Sequence, residues 1–141
     1  MFKNLFKKKN TDNTTDKNIL IGALLIHAAK VDENYTEKEK NIIKRALMDL
    51  NNMNITKVDE IMELAEKKEK ESNQIVEFTQ KIKKETIDFK LKIIEILWKI
   101  VYSDGADDNY ESNLIRRVCG LLYISDKDSG IIKLRVKNSI K

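Results

Sequence analysis

Leu24-Leu25-Ile26-His27-Ala28-Ala29-Lys30-Val31-Asp32 and, 72 residues on, Ile96-Leu97-Trp98-Lys99-Ile100-Val101-Tyr102-Ser103-Asp104 are two versions of one pattern. Each is an apolar stretch that closes on an aspartate. Seven residues after each aspartate stands a glutamate, Glu39 and Glu111. Ile42-Ile43-Lys44-Arg45 then lies over Leu114-Ile115-Arg116-Arg117, and after a three-residue shift Asn54-Ile55-Thr56 lies over Tyr123-Ile124-Ser125. Each half reads as an apolar helix, an acidic turn, an amphipathic helix, a short cap and another helix. A duplicated helical unit, about 17–70 and 88–138, is the simplest account.

Outward from these stretches, apolar residues recur with a helical period to the end of the chain. The spacing predicts helices over 17–31, 37–52, 57–70, 73–84, 87–103, 109–122 and 127–138. The expected fold is all-α, a single compact bundle of about seven helices built from two related halves. Thr36, Thr56, Asp108 and Ser125 are the expected N-caps, because each precedes an amphipathic run and offers a short side-chain oxygen. The charge-dense segment 63–71 reads as a solvated helix face.

Composition narrows the chemistry. The 141 residues contain one cysteine and one histidine, which excludes a disulfide framework, a thiolate zinc site and any mechanism needing two imidazoles. Four glycines and no proline argue against an all-β domain. The net charge is +4, and residues 1–17 carry +3 of it through Lys3, Lys7, Lys8, Lys9 and Lys17 against Asp12 and Asp16. The helical part is nearly neutral, so no basic face for nucleic acid is expected. No phosphate loop, dinucleotide-binding turn, nucleophile elbow or zinc-protease helix is present, and no enzyme activity is assigned.

Residues 1–16 read as a basic, polar, flexible tail ahead of a domain over 17–141. Phe2, Leu5 and Phe6 beside Lys7, Lys8 and Lys9 would suit a weak peripheral contact with an anionic membrane. The apolar run Ile19–Ala29 is too short to span a bilayer, which takes about 20 residues. It reads as a buried core helix, with a cytoplasmic location as the default, including the inner face of the membrane.

The two acidic turns are Asp32 to Glu39 and Asp104 to Glu111. An EF-hand needs glycine at loop position 6 and glutamate at 12, but counting from Asp104 those positions hold Asn109 and Ile115, and from Asp32 they hold Glu37 and Ile43. Thr36 with Glu39, and Asp108 with Glu111, have capping-box spacing. That explains four of the acidic-turn residues without any ligand. It leaves Asp32 and Asp104 at helix C-termini, where a carboxylate opposes the helix dipole. The candidate metal ligands are therefore Asp32, Glu39, Asp104, Asp108 and Glu111, an all-oxygen set suited to Ca²⁺ or Mg²⁺. Arg116 and Arg117 are rival partners for the second turn's carboxylates.

The stretch Leu97 to Arg117, with Phe78-Thr79 and Leu121-Leu122-Tyr123-Ile124-Ser125 as further landmarks, resembles the tellurite-resistance protein B (TerB)-like family over roughly residues 17–138. The resemblance implies an all-helical fold of about seven helices, related to the N-terminal region of a membrane-anchored J-domain co-chaperone. It also implies a link to tellurite and metal stress, with metal held by the acidic turns. The first turn departs from the family pattern, because Glu33 follows Asp32 where glycine is expected. The alternative is a protein-interaction or co-chaperone-like domain with an unidentified protein partner, in which the turns only cap helices. Trp98 and Cys119 are expected in the core, and His27 on a polar stripe.

Overall fold

In a computed structural model of the chain the backbone is described for residues 2–31, 35–72, 74–104 and 109–139, and side chains for these except 2–15, 104 and 109–112. The elements are α1 (Phe2–Lys30), α2 (Glu37–Asn51), α3 (Ile55–Glu71), α4 (Ile75–Thr79), a 3₁₀ turn (Ile82–Lys84), α5 (Ile87–Val101), a 3₁₀ turn (Tyr102–Asp104), α6 (Asn109–Leu122) and α7 (Asp126–Ser139). No strand occurs among the described residues, and none of their helices is long and apolar enough to cross a membrane.

The two apolar stretches become the paired central helices. Leu24, Leu25, Ile26, Ala28 and Ala29 on α1 are buried, as are Ile96, Leu97, Trp98, Ile100 and Val101 at the matching positions of α5. Removing each of the leucine, isoleucine and valine side chains from water contributes about 1.5–3 kcal/mol. α1 packs on α5; α2 and α3 pack around α1 as α6 and α7 pack around α5.

The duplication extends to the turns. Asn52 and Tyr123 take left-handed conformations, φ 52° and 61°, one residue past the ends of α2 and α6. The next N–H reaches back into each helix, Met53 to the Met48 carbonyl at 3.2 Å and Ile124 to that of Cys119 at 2.8 Å. Both helices thus end in the left-handed cap that satisfies their last carbonyls. α6 is one residue shorter than α2, so the register beyond them is 71 rather than the 69 expected from sequence. At 71, the buried Val58, Ile61 and Ala65 of α3 coincide with the buried Ser129, Ile132 and Val136 of α7.

Four expectations need correction. α3 is capped by Asn54, whose side chain accepts from the Lys57 N–H at 2.9 Å, and not by Thr56. The helix expected over 73–84 breaks at Gln80 and Lys81. There the Thr79 hydroxyl donates back to the Ile75 and Val76 carbonyls, at 3.0 and 3.1 Å, which favours bending over continuation. The helix expected over 17–31 begins at Phe2, as a segment without proline or glycine permits. Glu69, expected on a solvated face, is buried because it extends the apolar stripe of Val58, Met62 and Ala65 by one further turn.

α1 and α3 touch closely at Gly22. A Cβ there would stand 2.8 Å from the Ala65 Cβ and 3.6 Å from Leu47 Cδ1. Neither Cβ can swing aside, so the helices must separate. Gly22→Ala should lower stability by up to about 2 kcal/mol, because overpacking of roughly 1–3 kcal/mol outweighs a helix-propensity gain of about 1. A denaturant midpoint at or above the wild type's would refute this.

Candidate functional site

The first acidic turn lies between α1 and α2 and is fastened to α3 on both sides. Before it, the Lys30 Nζ pairs with Glu69 Oε1 at 2.9 Å, and His27 Nδ1 meets Glu69 Oε2 at 3.2 Å. A carboxylate only accepts, so the Nδ1 carries the hydrogen in that contact. Burial works to raise the Glu69 carboxyl's pKa, but the hydrogen bonds and charges of Lys30 and His27 prevail and hold it below the usual carboxylate range. After the turn, the Tyr35 hydroxyl donates to Glu66 Oε1 at 3.2 Å, and Lys40 pairs with the same oxygen at 3.1 Å. Burial, then the Glu66 charge, push the Tyr35 hydroxyl well above the ordinary tyrosine value, so it stays a donor. Lys30 also lies 6.0 Å from the centre of the Tyr35 ring, which links the two fastenings.

The capping box of α2 is present. The Glu39 N–H donates to Thr36 Oγ1 at 3.2 Å, while Glu39 Oε1 accepts from the Thr36 N–H at 3.0 Å and from its hydroxyl at 3.1 Å. Glu39 is buried, and this oxygen is committed to the cap. Ser125 caps α7 as expected, accepting from the Asp128 N–H at 3.1 Å.

Of the other candidate ligands, Asp32 and Asp108 lie outside the described residues. Asp104 closes the 3₁₀ turn after α5 and Glu111 lies in the first turn of α6, with only their backbones described. Among the described residues no group of three or more His, Cys, Asp or Glu side chains could hold a metal ion. One contact does bring the two turns' borders together. The Lys38 Nζ, in the first turn of α2, donates to the Ser103 carbonyl at 2.7 Å, immediately before Asp104. The sequence gives no sign of this pair, because it joins residues 65 apart. For the anchors Glu66 and Glu69, the sequence signal is their three-residue spacing beside Met62 and Ala65.

The core expectations hold. Trp98 is buried, stacks on Tyr102 with ring centres 6.0 Å apart, and donates its Nε1–H to Ser129 Oγ at 3.2 Å. Cys119 is buried, and that burial pushes its thiol's pKa up, the opposite of an activated nucleophile. His27 is half-buried and serves Glu69. Arg116 and Arg117 are exposed, and the carboxylates considered for them lie outside the described side chains.

A duplicated, all-helical module in which the borders of two acidic turns meet is the class of protein these elements define. The family model of the tellurite resistance protein TerB matches residues 18–134, and the chain belongs to that family. No curated protein and no solved structure matches it.

Proposed function

We propose that this TerB-family domain is a non-catalytic module of tellurite or metal stress response that takes a divalent cation, Ca²⁺ or Mg²⁺, between its two acidic turns. The observation that carries the reading is the Lys38–Ser103 hydrogen bond, which sets the start of α2 against the residue preceding Asp104. Asp32, Asp104, Asp108 and Glu111 would supply the oxygens. Glu39 would contribute only what its capping role leaves to it. Hard cations need several oxygens at once, and neither turn carries the spacing to supply them alone.

The expected result is a thermal midpoint that rises with millimolar Ca²⁺ or Mg²⁺. Saturation at 100 times the dissociation constant corresponds to about 2.7 kcal/mol, or several degrees for a chain of this size. Asp104→Asn should remove most of the rise. A wild-type midpoint indifferent to both cations would exclude the cation reading and leave the turns as helix caps.

A further inference from the structure

The twofold repeat is broken at α4. In the first half, α4 and the 3₁₀ turn after it pack across α1 and α6, burying Ile75, Phe78 and Ile82. The matching position in the other half is the junction of α5 with α2, and among the described residues nothing covers it. A groove of about 380 Å³ remains there, with Ile42, Ala46, Leu50 and Ile96 along its floor.

The 72-residue register makes the comparison residue by residue. Ile42, Ala46, Leu50 and Ile96 correspond to Leu114, Val118, Leu122 and Leu24, all buried on the covered side. The floor is therefore apolar in both halves, but the walls differ. Lys92 and Glu95 of the open groove stand where the covered side has the buried Leu20 and Ala23. An apolar floor within a charged rim is the anatomy of a surface that a partner covers and leaves, while apolar walls belong to a permanent interior.

The rim charges indicate the partner's polarity. Arg45, Lys92 and Lys99 stand against Asp49 and Glu95, and none of the five makes an ion pair or side-chain hydrogen bond among the described residues. The surplus is positive, which disfavours the chain's own lysine-rich residues 2–9 and favours a flank bearing carboxylates. The covered side supplies the shape. Its occupant presents apolar residues at i, i+3 and i+7, and the Phe78 ring lies 6.1 Å from that of His27. Lys99 replaces His27 on the open side, so an aromatic residue of the occupant would meet an ammonium group, a favourable cation–π arrangement.

We infer that the α2–α5 groove is the docking site for a short amphipathic helix of a partner protein, with an Ile-Phe-Ile-like apolar ridge and carboxylates along its flank. The site lies outside the acidic turns and needs no cation. Its test uses the full chain and a synthetic peptide copying residues 74–84 with the changes Lys81→Glu, Lys83→Glu and Lys84→Glu. Fluorescence anisotropy should show saturable binding, and amide NMR shifts should concentrate on α2 and α5. The unaltered 74–84 peptide should bind several-fold more weakly, because its lysines face the positive rim.

Ala46→Glu, which fills the floor, should weaken binding by about tenfold or more. The exposed rim variant Lys92→Glu/Lys99→Glu, which has no packing role to disturb folding, should weaken the acidic peptide and not the basic one. Three results would overturn the proposal: no saturable binding, binding that both variants leave unchanged, or shifts confined to α1 and α6, where the peptide would be displacing α4. Self-association of the chain abolished by Ala46→Glu would also overturn it, by assigning the groove to a second copy.

Discussion

Glu69→Gln should cost about 2 kcal/mol at neutral pH, more than any other single charge removal among the described residues. Glu69 is 4% exposed and faces both Lys30 and His27, the only histidine. Breaking a buried ion pair from one side costs roughly 3–5 kcal/mol. Here the remaining partners are partly exposed, 32% for Lys30 and 23% for His27, so water recovers part of the loss. The pH dependence separates this from a packing defect. The Glu69 carboxyl is held below its ordinary value near 4.5 in the folded chain, so the unfolded chain takes up the proton first. The stabilisation is then fully present above that value and is lost as pH falls through the lower, folded one. Denaturation curves of wild type and variant should stand apart at pH 7 and draw together progressively as pH falls below 4.5. A separation that persists unchanged into acid would show that Glu69 acts through packing alone.

The same residue shows where sequence reading reached its limit. Helical period placed α2, α5, α6 and α7 to within about two residues, because each of these helices has an apolar face that repeats over several turns. The capping box at Thr36 and the cap at Ser125 were legible because both partners lie within one turn. What failed was information held elsewhere in the chain. Thr56 and Asn54 are both good cap residues, and the choice fell to Asn54 because α2 ends in a left-handed Asn52 that brings Met53 back onto Met48. Glu69 reads as solvated in a run of charges, since its partners lie on a helix 39 and 42 residues earlier. The break after Thr79 carries no proline or glycine to mark it. Of the candidate cation ligands, sequence spacing could pair Glu39 with Thr36, but it could not place Lys38 on the Ser103 carbonyl. That contact depends on α2 crossing α5, a product of the whole duplication.

Phe78→Ala should be the most damaging of these substitutions, at about 3–5 kcal/mol, or a thermal midpoint roughly 10–20 °C lower. The ring is fully buried, yet it belongs to a helix of five residues. A helix that short has no stability of its own in water. Ile75, Phe78 and Ile82 hold the segment in place, with help from the Lys68–Glu77 pair at 2.7 Å and the hydrogen bond from Ser72 to Glu77 at 2.8 Å. Those polar contacts are largely exposed and contribute little each. Loss of the ring should therefore release α4 before it unfolds the rest. Amide exchange over residues 75–84 should accelerate well beyond that of α5. The exposed surface would be the apolar walls of Leu20 and Ala23, which, unlike Lys92 and Glu95 across the repeat, are unsuited to water. The variant should accordingly bind an apolar-site dye that the wild type does not. Uniform acceleration of exchange throughout the chain would instead mean that α4 is an inseparable part of the core, and that the two grooves differ in more than their walls.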